Sequence, residues 1–275
     1  MDRFFLAVDG GGTGCRVALA DATGRVLARA EGGPANISSD PTGALHNILG
    51  AARQVLDQVG ATEDQCHAGL GLAGANAAGA ADWLGAQLPF AARIVTDAVT
   101  TAKGALRHHD GIVAAMGTGS VFAEQRAGVF RQIGGWGLAL GDEGSGAVLG
   151  RALLARALRA LDGAAEMTPL LRGILDEFGT PEAVVGFSLT ARGGDYARFA
   201  PRLIGSPDPA AMALMDQAVA EVRASIAALQ GESPLPVTFI GGLGPAYAAR
   251  ITDWPQRVAL GTALDGALLL AMEAA

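Results

Sequence analysis

Residues 4–20 read FFLAVDGGGTGCRVALA, an apolar run that is interrupted by an aspartate and three consecutive glycines and then resumes. Short apolar runs on either side of a glycine cluster predict two β-strands joined by a tight turn. Because glycine lacks a Cβ, its backbone amides can converge on an anion without a basic side chain. The stretch therefore predicts a phosphate-binding hairpin.

Two polar side chains in this stretch fit the same interpretation. Asp9 would repel a bare phosphate, but its carboxylate can hold Mg²⁺ or the water ligands of that ion, and the cation then bridges to phosphate. Thr13 adds a hydroxyl donor to the turn. Taken alone, the stretch is more typical of an ordinary glycine-rich hairpin with a solvated aspartate, so other segments must decide.

Two better-known nucleotide motifs are excluded. The string GxxxxGK[ST] of a Walker loop does not occur. Residues 69–74 do spell GxGxxG, and Asp97 follows at about the distance of a ribose-binding acid. That motif should follow a buried strand, however, and here it follows the polar stretch 64–67. We therefore predict that residues 67–72 are themselves a strand.

Composition favours a soluble enzyme. The 275 residues suffice for one large domain or two of ordinary size, and the formal net charge of −7 argues against nonspecific binding to nucleic acid or anionic membranes. No apolar run reaches the roughly 18 residues of a transmembrane helix. The apolar stretch near the N-terminus is too short for a secretory signal. We therefore expect a cytoplasmic protein.

Cysteine and histidine spacing gives no sign of a disulfide or a zinc site. Cys15 and Cys66 lie far apart without a CxxC partner, which is typical of reduced, partly buried thiols. The four histidines show no HExxH or Cys/His ligand spacing. A zinc site is therefore not expected, and a disulfide is disfavoured.

The order of predicted elements indicates an α/β protein made of two similar halves. Strands are predicted over 4–9, 14–21, 25–31, 67–73, 92–96, 111–115, 121–125, 129–133 and 237–240. Helices are predicted over 41–59, 77–88, 145–161, 167–178, 209–229 and 260–273. Each half starts with three successive strands. We therefore expect an N-terminal domain over 1–106, joined by the C-terminal helix within 260–275, and a C-terminal domain over 107–259.

Two further glycine turns follow apolar strands. Residues 116–120 (MGTGS) place hydroxyl side chains beside glycines and can wrap the other side of a phosphate chain. Residues 240–244 (IGGLG) end a strand, where missing side chains would let a flat adenine and its ribose lie against the backbone. Either is acceptable as a plain turn. Three such elements at strand ends, one of them preceded by Asp9, favour a nucleotide site.

These motifs resemble a known group of proteins. Residues 9–13 (DGGGT), 116–120 and 240–244 resemble the phosphate-1, phosphate-2 and adenosine motifs of the actin-like/hexokinase ATPase superfamily. Within it, GGWG at 134–137 and GDEGS at 141–145 resemble the N-acetylglucosamine and glucosamine kinases of the BadF/BadG/BcrA/BcrD ATPase family. The resemblance covers nearly the full length. It implies an α/β fold of two ribonuclease H-like domains, each a mixed sheet flanked by helices, with an inter-domain cleft.

The resemblance also implies an activity, namely transfer of the γ-phosphate of ATP, with Mg²⁺, to the 6-hydroxyl of N-acetylglucosamine or glucosamine. Asp97, between a predicted strand and a helix, would accept the proton of that hydroxyl, although its position alone favours an N-cap. Asp9 would hold hydrated Mg²⁺. The nucleotide would be bound by Gly11, Gly12, Thr13, Thr118, Gly119, Ser120, Gly241, Gly242, Leu243 and Gly244. The sugar would be bound by Asn36, Asp97, Thr118, Trp136, Gly137 and Asp142.

Some alternatives stay open. Trp136 can stack on a sugar face or wall an acyl pocket, but a lone tryptophan is more often core. Family members also act as ATPase activators of 2-hydroxyacyl-CoA dehydratases that share an iron–sulfur cluster, for which only Cys66 is a plausible ligand. A non-enzymatic sugar- or ATP-binding regulator would not need a base such as Asp97. The sequence does not distinguish glucosamine from N-acetylglucosamine as the substrate, and glucose is a less favoured third choice. We also expect a homodimer.

Overall fold

The first strand, β1 (Phe4–Gly10), lies at the centre of a sheet because both of its faces are buried. Leu6 and Val8 pack into one core cluster, whereas Phe5 and Ala7 pack into another. Successive side chains of a strand point to opposite faces, so two-sided burial produces the continuous apolar run seen in the sequence. The computed structural model describes residues 3–274 of the chain.

The remaining elements alternate between strands and helices. The strands are β2 (Cys15–Ala20), β3 (Val26–Gly32), β4 (Cys66–Leu72), β5 (Ala91–Thr96), β6 (Gly111–Met116), β7 (Ser120–Arg126), β8 (Val129–Gly134) and β9 (Val237–Ile240). The helices are α1 (Pro41–Val59), α2 (Ala80–Gly85), α3 (Asp97–Leu106), α4 (Gly146–Leu161), α5 (Pro169–Phe178), α6 (Pro181–Thr190), α7 (Gly193–Ala197), α8 (Pro209–Leu229), α9 (Gly244–Ala248) and α10 (Ala263–Glu273).

The two sheets share a strand order. The first runs β3-β2-β1-β4-β5, with β1 antiparallel to β2 and parallel to β4. The second runs β8-β7-β6-β9. In each sheet three successive strands form neighbours, and the first of them lies beside a strand from later in the chain. The predicted fold class, α/β with two sheets flanked by helices, is confirmed.

The chain divides into two compact units. The first takes in the chain up to Val113, together with Ala123–Phe130 and the chain from Val258 onward. The second consists of Ala114–Phe122 and Arg131–Arg257. Within the first unit α10 packs against α3, where a Cβ on Gly104 would collide with the backbone of the facing segment. Glycine at this position therefore permits the close approach of the two helices.

The glycine string at 69–74 has a packing role. A Cβ on Gly69 would collide with the carbonyl oxygen of Ala267 in α10, and a Cβ on Gly71 would collide with Thr100 in α3. Both glycines belong to β4, so the prediction that this segment is a strand rather than a dinucleotide loop is confirmed. The missing side chains let two helices lie directly on the sheet.

Some helix predictions were wrong. The helix predicted over 77–88 is confined to Ala80–Gly85, because Gly79 before it has a φ of +75°. Three helices were missed, namely α6, α7 and α9. The sequence of α6 has no 3.6-residue apolar pattern, and its Val185 and Leu189 are exposed. Within residues 3–274 no helix combines the length and the hydropathy that crossing a bilayer requires.

Candidate functional site

The turn between β1 and β2 has two free backbone donors at its tip. The amide of Gly11 donates to the carbonyl oxygen of Gly14 at 2.9 Å, which closes the turn. The amides of Gly12 and Thr13 donate to no residue in the described part of the chain. A Cβ on Gly12 would meet nothing within 4 Å, so the tip is open to a ligand. This arrangement suits an anion held by main-chain donors.

Asp9 is paired with an arginine that the sequence analysis did not single out. The ladder of β1 and β2 places Asp9 opposite Arg16, and Nη2 of Arg16 lies 2.6 Å from Oδ2 of Asp9. The Asp9 side chain is only 11% exposed. Burial raises the pKa of Asp9, and the charge of Arg16 opposes that shift. Residues equally distant from a hairpin turn face each other, so the sequence did contain the signal for this pair.

Asp97 is the first residue of α3 and is half-buried. Its Oδ1 accepts a hydrogen bond from the amide of Ala98 at 2.9 Å, and the N-cap of the helix is Thr96 rather than Asp97. Burial raises the pKa of Asp97, the amide of Ala98 lowers it, and the charge of Asp9 raises it. Asp9 and Asp97 line one pocket together with Gly11 and Thr13. The first unit therefore sets two carboxylates beside the open turn.

The loop around Asn36 is tied to the same turn. The amide of Ala35 donates to the carbonyl oxygen of Gly11 at 2.8 Å. Oδ1 of Asn36 accepts from the amide and hydroxyl of Ser38, at 3.0 and 2.9 Å, and from the amide of Ser39 at 3.2 Å. Nδ2 of Asn36 has no partner among residues 3–274. The loop is thus rigidly held and retains one amide donor for a ligand.

The turn between β6 and β7 repeats this design in the second unit. The amide of Gly117 donates to the carbonyl oxygen of Gly119 at 2.9 Å, while the amides of Thr118 and Gly119 find no partner in the described chain. The hydroxyl of Ser120 donates to the carbonyl oxygen of Glu143 at 2.8 Å. Ser120 is therefore held by the loop that precedes α4, and the tip keeps two free donors.

Asp142 links this turn to the loop that follows β8. It is 9% exposed and has a φ of +61°. Its carboxylate accepts from the amide of Gly137 at 3.2 Å and from the amide of Ser120. Burial raises the pKa of Asp142, and these two amides oppose the shift. Since each carboxylate oxygen has two acceptor sites, Asp142 can still accept from a ligand hydroxyl.

The glycine turn at 240–244 packs against the start of the second hairpin. The amide of Leu243 donates to the carbonyl oxygen of Met116 at 3.0 Å. Gly241 has a φ of +84°, and a Cβ there would lie 2.8 Å from the carbonyl carbon of Met116. A Cβ on Gly242 would meet nothing within 4 Å. Leu243 itself is buried, so its side chain belongs to the core and only its backbone lines the turn.

Trp136 is presented to solvent by glycines on either side. Its side chain is 69% exposed, and Gly135 and Gly137 have φ values of +74° and +82°. The alternative that Trp136 is a core residue is therefore wrong. An exposed indole on a loop of fixed geometry suits contact with a ligand.

The predicted site residues fall into two groups. The first unit brings together Asp9, Gly11, Gly12, Thr13, Asn36 and Asp97. The second unit brings together Thr118, Gly119, Ser120, Gly137, Asp142, Gly241, Gly242, Leu243 and Gly244. Among the described residues no three His, Cys, Asp or Glu side chains converge as a metal cluster. A divalent cation at Asp9 would therefore take most of its ligands from water and from a bound phosphate.

Comparisons with known proteins agree with these motifs. Residues 6–254 match the model of the BadF/BadG/BcrA/BcrD ATPase family. The chain is 32% identical to glucosamine kinase GspK of Vibrio cholerae, over 92% of this chain and 87% of that protein. A solved structure of a candidate N-acetylglucosamine kinase from Chromobacterium violaceum is 35% identical and has a TM-score of 0.86, with 98% and 99% of the two chains covered.

A more distant structure shares the fold alone. It is a ROK family glucokinase from Streptomyces griseus, in complex with glucose and AMPPNP, with 17% identity, a TM-score of 0.59 and 99% of each chain covered.

Proposed function

The chain belongs to the BadF/BadG/BcrA/BcrD ATPase family, and we propose that it is an ATP-dependent amino-sugar kinase. It would transfer the γ-phosphate of MgATP to the 6-hydroxyl of glucosamine or N-acetylglucosamine. The observation that carries this proposal is the pair of half-buried carboxylates, Asp9 and Asp97, in one pocket beside an open glycine turn. The relatives named as amino-sugar kinases match over most of the chain and supply the substrate class.

Phosphoryl transfer requires that the triphosphate is bound and its charge neutralised. It also requires that the attacking hydroxyl is aligned with the γ-phosphate and that a group accepts the hydroxyl proton. The free amides of Gly12 and Thr13 in one unit, and of Thr118 and Gly119 in the other, would hold phosphate oxygens. The open backbone at Gly242 would receive the adenosine. Within each turn a hydrogen bond fixes the backbone before a ligand binds, so little reorganisation of the turn opposes binding.

The oxygen donors of the first unit fit magnesium. Asp9 and Asp97 offer carboxylate oxygens, the ligand type that a hard cation prefers. When bound, Mg²⁺ would neutralise charge on the triphosphate. Arg16 already compensates the charge of Asp9 at 2.6 Å, so the pair must rearrange or share its negative charge when a cation binds.

Asp97 would act as the general base. Its position in the first turn of α3 fixes the carboxylate through the amide of Ala98, and burial keeps its pKa above that of a solvated aspartate. A higher pKa makes the carboxylate a better proton acceptor at the moment the hydroxyl attacks phosphorus. Asn36 would orient the sugar through its free Nδ2, and Asp142 and Trp136 would contact sugar hydroxyls and a sugar face.

The rival role as an activator of a dehydratase is disfavoured by the number of cysteines. A cluster shared across a dimer ordinarily takes two thiolates from each subunit, whereas this chain has only Cys15 and Cys66, and Cys15 stands at the start of β2 within the glycine hairpin. Cys15 is also a buried free thiol whose pKa burial raises. We further propose a cytoplasmic homodimer, for which the exposed apolar residues Val185 and Leu189 on α6 offer a contact surface.

A coupled ADP-release screen of the purified chain across hexoses tests the function. We expect ADP formation that depends on sugar and is fastest with glucosamine or N-acetylglucosamine. A rate that is the same with and without every sugar would contradict the proposal. Sedimentation velocity tests the dimer, and a purely monomeric boundary at micromolar concentration would refute it.

A further inference from the structure

A second cavity in the first unit lies away from the pocket of Asp9 and Asp97. It has a volume of about 650 Å³, within the range of small-molecule sites. Its walls come from the last turn of α3, from the segment 125–130 and from α10 with the residues before it. All of them belong to the same unit.

Gln125 gives this cavity an unused acceptor. The residue is only 3% exposed. Its Nε2 donates to the carbonyl oxygens of Arg107 and His109 at 2.9 and 2.8 Å. These two bonds fix the orientation of the amide. Its Oε1 accepts no hydrogen bond from any described residue, although the side chain lines the cavity. Oε1 can therefore accept a hydrogen bond from a ligand in the cavity.

Two cationic side chains, Lys103 and Arg107, lie on another wall beside His108. Lys103, the only lysine in the chain, is 12% exposed and its Nζ lies 2.7 Å from a carboxylate oxygen of Glu273. Arg107 and His108 also line the cavity, and Asp265 partly compensates the charge of Arg107. The Glu273 side chain is 52% exposed and sits on the last turn of α10, so an incoming anion can displace it from Lys103. The carboxylate of Glu273 thus marks a place for an anionic group.

Apolar side chains complete the cavity. Nζ of Lys103 lies 5.8 Å from the centre of the Phe130 ring, and Leu260, which is 49% exposed, stands at the rim. An aromatic ring that lies near both a cation and an aliphatic side chain favours a flat ligand that carries a charged group.

We propose that this cavity is a binding site for a small planar organic anion. The anionic group would contact Arg107, His108 and Lys103, the planar body would lie on Phe130 and Leu260, and a hydroxyl or amine would donate to Oε1 of Gln125. The site is independent of the proposed kinase reaction, because none of these side chains lines the pocket of Asp9 and Asp97.

Calorimetry with pyridoxine 5′-phosphate, a flat hydroxylated phosphate ester, tests the site directly. We expect saturable binding of one molecule per chain, weakened about tenfold in Arg107→Gly through loss of a charge-assisted contact. Arg107 has a φ of +55°, so glycine suits the backbone there and the variant should fold. Glu273→Gln removes the competing carboxylate and should strengthen binding about threefold.

The matched control is Arg53→Ala, which removes the same charge at an exposed ion pair with Glu63 outside the cavity and should leave the affinity unchanged. Pyridoxine without phosphate should bind about tenfold more weakly if the anion is required. Equal affinity of wild type and Arg107→Gly would overturn the proposal, as would no detectable binding.

The single lysine also allows the site to be located by covalent labelling. The ε-amine of Lys103 adds to the aldehyde carbon of pyridoxal 5′-phosphate, water leaves as the imine forms, and borohydride then delivers hydride to the imine carbon. Peptide mapping should find the label on Lys103, at a level that pyridoxine 5′-phosphate reduces by competition. Labelling that does not saturate, or that the competitor leaves unchanged, would count against a binding site.

Discussion

Replacing Gly241 with alanine probes how the glycine turn after β9 is held. The turn packs on the backbone at Met116, where the second glycine hairpin begins, and the amide of Leu243 donates to the carbonyl oxygen of Met116 at 3.0 Å. Gly241 has a φ of +84°, and its missing Cβ leaves room for the carbonyl group of Met116. Any side chain at this position must therefore strain the turn and push it off the hairpin.

The cost can be worked out from these two features. Left-handed backbone costs an alanine about 1–2 kcal/mol, and a forced backbone shift adds about 1–3 kcal/mol. The free energy of unfolding should therefore fall by about 2–5 kcal/mol in Gly241→Ala. In a chain of this size that corresponds to a Tm lower by about 5–15 °C.

The neighbouring residue provides the control. A Cβ on Gly242 meets nothing within 4 Å, so the Tm of Gly242→Ala should lie within about 2 °C of wild type. If adenosine lies on this backbone, Gly242→Ala should instead raise the KM for ATP by roughly tenfold, through loss of about 1.4 kcal/mol of binding. Thermal unfolding followed by circular dichroism and steady-state kinetics measure the two effects. Equal Tm values for the two variants would refute the packing argument.

Four further predictions concern the first unit. Asp97→Asn should abolish sugar-dependent ADP release while changing the affinity for an ATP analogue less than about threefold, and near wild-type kcat would exclude Asp97 as the base. The same variant should have a higher Tm than wild type at neutral pH. The native-state pKa of Asp97 lies above the unfolded value of 3.8, so at a pH above both pKa values the ionised carboxylate destabilises the fold. An unchanged or lower Tm would contradict this. For the same reason kcat/KM should fall on acidification, with the midpoint of the fall above pH 3.8. A kcat/KM that stays unchanged down to pH 3.8 would contradict a base whose pKa is raised by burial. Asn36→Asp keeps the acceptor for Ser38 but removes the Nδ2 donor, so the KM for sugar should rise about tenfold or more at unchanged Tm, and an unchanged KM would remove Asn36 from the sugar site.

The strands and the glycine turns could be predicted from sequence because their signals are local. The run 4–20 contains both strands and the turn, and the observed β1 and β2 match it closely. The pairing of Asp9 with Arg16 was also within reach, since it follows from the register of one hairpin. Local periodicity and turn chemistry are sufficient for such features.

Other features depend on contacts between distant segments. The bond from Ala35 to Gly11 ties the Asn36 loop to the turn, and no pattern in the loop itself indicates it. Gly69 is needed because α10, nearly 200 residues later, lies on β4. The exposure of Trp136 and the helix α6 were likewise missed or left open, because tertiary packing rather than propensity decides both.

A ³¹P NMR time course follows the transferred phosphate group itself. With purified chain, MgATP and glucosamine or N-acetylglucosamine, we expect a sugar 6-phosphate resonance that grows in step with ADP. The resonance should be absent without sugar and absent with Asp97→Asn. ADP that accumulates with inorganic phosphate instead of a sugar phosphate would contradict the account.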